Sequence, residues 1–305
     1  MPSFTENFRF NAHPFAKYVA ESEPEIQAYA VTPPYFEETK KRTGDVLSFI
    51  LFGFRGSGKS ATRLTSEKDA WSRVQRGQKA PLVISLTDFE PIISQNKIDN
   101  ITSNIIISHV AFLVVEALLL WISNQNEEES LLELLNEDEK RLFISIVKTH
   151  YLTIPDTSRR LNVSRTMTLL NQTWINRTQY WIEKKWEPIS AILSKITSSA
   201  SKHYADLDLP AQELYTLLQR DSTFTIGITV IERLVSCARS FGFSGICAYV
   251  DKVDETTKTG TSSELSAKLV YPILSQVQLM EIPGFSWIFA SSTPRVELRR
   301  FLKVA

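Results

Sequence analysis

Apolar positions fall into two regimes along this chain. Toward both ends they come as short runs that stop at a glycine, an acid or a hydroxyl cluster. Through the middle they recur at helical spacing. The short runs predict strands over 46–52, 81–89, 244–250 and 285–290. A helix is expected to leave the glycine-rich segment after the first strand and to end in a polar turn near Gly77. Residues 92–238 read as mostly helical. An apolar helix is expected over 101–123 and an acidic linker over 124–129. Further helices are expected over 131–151, with a break at Asn136–Glu139, and over 210–218 and 225–241. Trp174, Trp181 and Trp186 lie in a stretch, 169–199, where their spacing only partly fits one helical face. After the third strand come a polar loop over 256–263 and a helix over 264–280 interrupted at Pro272. Residues 295–305 read as the basic start of a further helix.

Strand, loop, helix, strand at the start and strand, helix, strand at the end predict an α/β fold. Its core is a parallel sheet flanked by helices, with a large all-helical insertion. The expected division is a lead-in over 1–45 packing on the core, a core over 46–91 and 239–305, and a helical subdomain over 92–238. Within the lead-in, Pro33-Pro34 rules out regular helix across that pair, and 31–36 reads as extended. No internal repeat or low-complexity tract is present.

Composition changes this picture little. The chain has 305 residues, 43% of them hydrophobic, enough for a large core or two domains. Its formal net charge is zero, so the overall balance demands no nucleic-acid or acidic partner. Cys237 and Cys247 lack metal-ligand spacing and read as reduced structural thiols of a cytoplasmic protein. The four histidines are scattered, which gives no metal cluster. The N-terminus lacks a basic segment followed by an apolar core, so no signal peptide is expected. Residues 104–123 are long and greasy enough to test for a membrane span. They contain His109 and Glu116, seven residues apart and roughly on one face, and lack flanking basic anchors. A buried core helix is the expectation, with no membrane partner.

The candidate chemistry begins where the first strand ends. Gly53, Gly56, Gly58, Lys59 and Ser60 fit G-x-x-x-x-G-K-[ST] in full. Glycines let backbone N–H groups turn inward toward phosphates, and the helix that follows directs its positive end at the same charge. Lys59 is expected to reach the β- and γ-phosphates of ATP, and the Ser60 hydroxyl to ligate Mg²⁺. Gly53, Arg55, Gly56, Ser57, Gly58, Lys59, Ser60 and Ala61 are the expected nucleotide contacts. For Arg55, contact with phosphate or a neighbouring chain stands beside a solvated loop arginine, which is the favoured reading.

Such a loop calls for a carboxylate on a buried strand. The run Tyr249-Val250-Asp251-Lys252-Val253-Asp254-Glu255 supplies one. Asp251 is the expected Mg²⁺ residue, and Asp254 or Glu255 is expected to orient the attacking water, with Glu255 slightly favoured. Ser291, Ser292 and Thr293 end the next strand, where a hydroxyl such as that of Ser292 could meet the γ-phosphate. Arg295, Arg299 and Arg300 follow, as solvated helix residues or as a finger toward a neighbouring subunit. A fainter signal lies in 156–170, which is one residue short of a helix-turn-helix spacing and carries Arg159, Arg160 and Arg165.

The order GFRGSGKS, SLTDF, YVDKVDE, WIFASSTP resembles the additional-strand P-loop ATPases, and within them the AAA+ and STAND (NACHT-like) branch. Asp251-x-x-Asp254-Glu255 is similar to the STAND form of the acidic motif, and Ser291-Ser292-Thr293 to a sensor 1. The lead-in with His13-Pro14-Phe15 resembles that of initiator-like ATPases. The resemblance implies a parallel sheet in the order 5-1-4-3-2, nucleotide at subunit interfaces of a homo-oligomer, and ATP hydrolysis that drives assembly or controls a protein effector. Multidomain antiphage defence proteins of bacteria share this build. The specific motifs cover about 46–90 and 243–295. Two departures stand out: the lid that the family places after the sensor-like strand is absent or the chain is a fragment of a larger protein, and the stretch 92–238 is longer than the family core needs. The competing expectations are an ATP-dependent DNA-binding loader or remodeller and a scaffold that binds nucleotide only to stay folded.

Overall fold

The computed structural model describes residues 33–54, 56–123, 135–160, 162–163, 186–194, 196, 208–220, 225–260 and 262–291. Four apolar runs form strands: β1 (Phe49–Phe52), β2 (Leu82–Leu86), β3 (Ile246–Val250) and β4 (Phe285–Ser291). All are parallel, in the order β1-β4-β3-β2. Parallel strands need long crossovers, and helices supply them, which buries both faces of the sheet. The order matches that expected for the first four strands. The strands are shorter than expected: Val46 sits in a left-handed turn (φ 55°) before β1, and Asp88 lies beyond β2.

Register divides the strand residues between two cores, because successive side chains point to opposite faces. Leu82, Ile246 and Phe285 align across three strands, as do Ile84, Ala248 and Trp287. This face belongs to the large core shared with most of the helices. Val83 and Cys247, and Tyr249 and Ile288, face the other way into a smaller core.

Two helices belong to the smaller core's side. The first, α1 (Phe36–Gly44), begins directly after Pro33-Pro34, where an extended chain was expected, and packs on α2 (Lys59–Gln75). The hydroxyls of Thr43 on α1 and Tyr249 on β3 lie 2.8 Å apart. Both thiols are buried and free, and burial pushes each up to about 12.

On the other side, α3 (Glu90–Gln95) leads to α4 (Ser103–Ser123), the centre of the large core. Helix α4 packs on β2 and on α5 (Glu137–His150), α6 (Asp208–Arg220) and α7 (Thr225–Ser240). Surrounded in this way, it can be apolar all round. It is long and apolar enough to cross a membrane, yet 83% of its most apolar window is buried inside the protein. The sequence Asn136–Glu139 starts a helix instead of breaking one: Asn136 Oδ1 accepts from Glu139 N at 2.9 Å and Glu139 Oε2 accepts from Asn136 N at 2.9 Å. After β3, α8 (Ser263–Leu274) carries Pro272 in its last turn, and α9 (Val277–Met280) follows as a separate piece. These helices in 92–238 share one hydrophobic core with the sheet.

Candidate nucleotide site

With all strands parallel, the C-terminal ends of β1, β2, β3 and β4 lie at one edge of the sheet. The loop after β1 and the acidic turn after β3 are therefore neighbours in space although about 190 residues apart in sequence, a consequence of sheet order.

The loop geometry follows from its glycines. Gly56 and Gly58 have φ of 82° and 85°, in the left-handed region that a Cβ disfavours. Gly53 is close-packed instead: a Cβ there would lie 2.2 Å from Ser57 Oγ. Ser57 N donates to Phe54 O at 3.1 Å, and Thr62 N to Gly58 O at 2.8 Å. Helix α2 then opens at Lys59 with no side chain capping its first turn, so its N-terminal amides keep their attraction for an anion. Lys59 Nζ donates to Gly53 O at 2.8 Å and to Phe54 O at 3.0 Å, closing the loop on its own lysine. Ser60 and Ala61 are half-buried in the first turn of α2. Phe54 is 85% exposed. Arg55 lies outside the described residues.

The acidic turn begins with Asp251, directly beyond β3 and 4% exposed. Lys252 is left-handed (φ 60°), and Val253–Glu255 make one 3-10 turn. Asp254 is half-buried and Glu255 exposed. Loss of solvent lowers the pKa of Lys59, against the opposing pull of Asp251, then Asp254, then Glu255. The predicted lysine and all three predicted carboxylates thus share one electrostatic environment. Ser292 lies outside the described residues, as do Thr293, Arg295, Arg299 and Arg300.

Sequence reasoning missed the group that holds Asp251. Arg63, one turn into α2 and fully buried, donates from Nε to Asp251 Oδ2 at 3.0 Å and from Nη1 to Ser85 Oγ at 2.9 Å. Its Nη1 also lies 3.6 Å from Glu67 Oε2, which accepts from Ser85 Oγ at 2.8 Å. One guanidinium therefore ties α2 to the ends of β2 and β3. The Arg63/Glu67 spacing on a helix expected to cover a sheet was the available signal. Tyr35 was missed as well; its hydroxyl donates to Ser57 O at 2.7 Å and links the segment before α1 to the loop.

Both Asp251 oxygens are engaged, since Oδ1 accepts from Lys252 N at 2.9 Å. Among the described residues no group of three or more His, Cys, Asp or Glu could hold a metal ion. One carboxylate and one hydroxyl do not make a free-standing cage. They do fit Mg²⁺ that arrives with a nucleotide and takes its remaining ligands from phosphate and water.

Compared with known protein families, with curated proteins and with solved structures, the chain matches none. The residues and their geometry therefore carry the functional argument.

The candidate nucleic-acid segment has a different character. Residues 156–160 and 162–163 are helical, but Arg159 and Arg160 both pair with Asp156, at 3.3 and 2.7 Å. Arg159 also lies over the Tyr151 ring and Arg160 over Trp186. Arg165 and the rest of that segment lie outside the described residues.

Proposed function

We propose that this chain is an ATP-binding and ATP-hydrolysing P-loop module of the additional-strand class, acting in the cytoplasm. One observation carries the reading. Lys59 opens a helix behind two left-handed glycines and shares its surroundings with Asp251, Asp254 and Glu255. A parallel sheet in which β4 separates the loop strand from the acidic strand supports it.

In this reading the loop amides and Lys59 bind the phosphates, and Lys59 exchanges its bonds to Gly53 O and Phe54 O for phosphate oxygens. Ser60 and Asp251 would hold Mg²⁺, which neutralises phosphate charge when bound. Arg63 fixes the Asp251 carboxylate through its bond to Oδ2. Asp254 or Glu255 orients water, and the half-buried position of Asp254 favours it for that role. The nucleotide state then controls self-assembly or a protein effector, with nucleotide near the subunit interface.

The test is ATP turnover per chain over a wide range of protein concentration, with Lys59→Ala as control. The expected result is a Lys59-dependent rate that climbs with concentration, as sites completed between subunits require. Turnover that persists in Lys59→Ala, or tight nucleotide binding without turnover at any concentration, would overturn the ATPase reading.

A further inference from the structure

One side chain from the segment before α1 reaches the glycine-rich loop. The Tyr35 hydroxyl donates to Ser57 O at 2.7 Å. Local bonds fix Tyr35 itself. Pro33 O accepts from Phe36 N at 2.9 Å, and Tyr35 O accepts from Thr39 N at 3.0 Å and from Thr39 Oγ1 at 2.9 Å. Tyr35 is thereby the half-buried N-cap residue of α1. Helix α1 is docked in turn at several points. Lys40 Nζ lies 3.3 Å from Asp69 Oδ1 on α2. The Cys247 thiol on β3 donates to Thr43 O at 3.3 Å, beside the contact between the Thr43 and Tyr249 hydroxyls. The Tyr35 hydroxyl therefore meets the loop from a fixed base.

What the bond controls follows from peptide geometry. Ser57 O and Gly58 N belong to one planar trans peptide, so a donor at the oxygen turns the Gly58 N–H the opposite way. This peptide needs such a hold. Turning it over changes ψ of Ser57 and φ of Gly58, and a glycine accepts either hand at little cost. Gly58 stands at φ 85°, at the N-cap of α2. A Cβ on it would lie 4.0 Å from the same hydroxyl. The Gly58 N–H is one of the amides that the loop pattern turns toward phosphate. Setting its direction before the ligand arrives removes part of the ordering cost of binding.

We propose that Tyr35 is a positioning residue for phosphate: its hydroxyl holds the Ser57–Gly58 peptide in the orientation that offers the Gly58 N–H to a bound triphosphate. This deepens the nucleotide reading above and rests on its phosphate-binding part, not on hydrolysis.

Calorimetric titration of the full chain with magnesium ATP, and separately with magnesium tripolyphosphate, tests the role. Tyr35→Phe removes the hydroxyl and keeps the ring. Both dissociation constants should rise by the same factor, about three- to tenfold, the effect of losing one neutral hydrogen bond. Thr43→Val is the comparison, since it removes a hydroxyl bond at the other end of α1. It should lower the thermal midpoint and leave both constants within about twofold of the parent. Unchanged constants in Tyr35→Phe overturn the role and leave the nucleotide reading standing. A loss confined to ATP, or a parent chain that binds ATP and not tripolyphosphate, does the same by placing the effect on the nucleoside. An equal loss in Thr43→Val also overturns the role, because general support by α1 then accounts for it. A parent chain that binds neither ligand overturns the nucleotide reading and the role together.

Discussion

At the residue scale, the fate of Asp251 turns on Arg63. Removing a buried ion from water costs several kcal/mol, so each charge here is tolerable because the others face it. Arg63→Met keeps most of the apolar volume and leaves Asp251 and Glu67 without their guanidinium. Stability should fall by about 3–5 kcal/mol, read as a lower urea midpoint. Arg63→Lys, which cannot make the same fork of hydrogen bonds, should restore only part of it. A loss below about 1 kcal/mol in Arg63→Met would mean that the pair is not closed in solution. At the loop, Gly58→Ala forces a Cβ into a φ of 85°. It should cost about 1–2 kcal/mol and weaken nucleotide binding, which equilibrium titration would detect.

These residues were unequally legible. Lys59 and Ser60 were legible because strand, loop and helix N-terminus are contiguous, so spacing alone carries the geometry. Asp251 was legible as the acid after an apolar strand. Its partner was not: Arg63 and Asp251 are 188 residues apart, and nothing local says which buried cation meets which strand end.

At the scale of elements, local signals gave existence more reliably than ends. Helix α5 shows why. An acidic run reads as a break until the Asn136–Glu139 capping pair is seen to begin the helix. Helix α1 follows a proline pair that forbids helix only across itself; the chain turns helical as soon as that restriction ends. Where α7 passes α4, packing overrides propensity. Gly227 lies inside α7, where alanine should gain about 1 kcal/mol of helix propensity. A Cβ there would fall 2.5 Å from Ile107 Cδ1 and 2.6 Å from Asn104 Oδ1, both on fully buried residues of α4. Overpacking costs about 1–3 kcal/mol, so Gly227→Ala should lower the melting temperature. A raised melting temperature would show that the two helices can separate at little cost.

At the scale of the whole molecule, desolvated histidines make stability depend on pH. Unfolded His150 takes up a proton near 6.5, while folded His150 resists until about 3 because it is desolvated and sits near Arg233. Its folded pKa is depressed, so the unfolded state binds more protons between those values. Stability is therefore complete above pH 6.5 and drains away as pH falls toward 3. His109 adds to the same window, down to about 4. Urea midpoints measured from pH 7 to 4.5 should fall steadily, and His150→Gln should flatten the slope. A variant as steep as the parent would place the acid sensitivity elsewhere.

The sequence alone determined the α/β class, the four strands, the glycine-rich loop and the acidic strand end, because each is written in residues a few positions apart. Tertiary structure decided the rest. Strand order brought Lys59 and Asp251 to one edge, since only pairing can set which strands are neighbours. Helix packing made the most membrane-like segment the centre of a core, since an apolar helix takes its place from whatever surrounds it. Burial selected the partners of Asp251 and holds His150 neutral, because the cost of a buried charge depends on surroundings assembled from the whole chain.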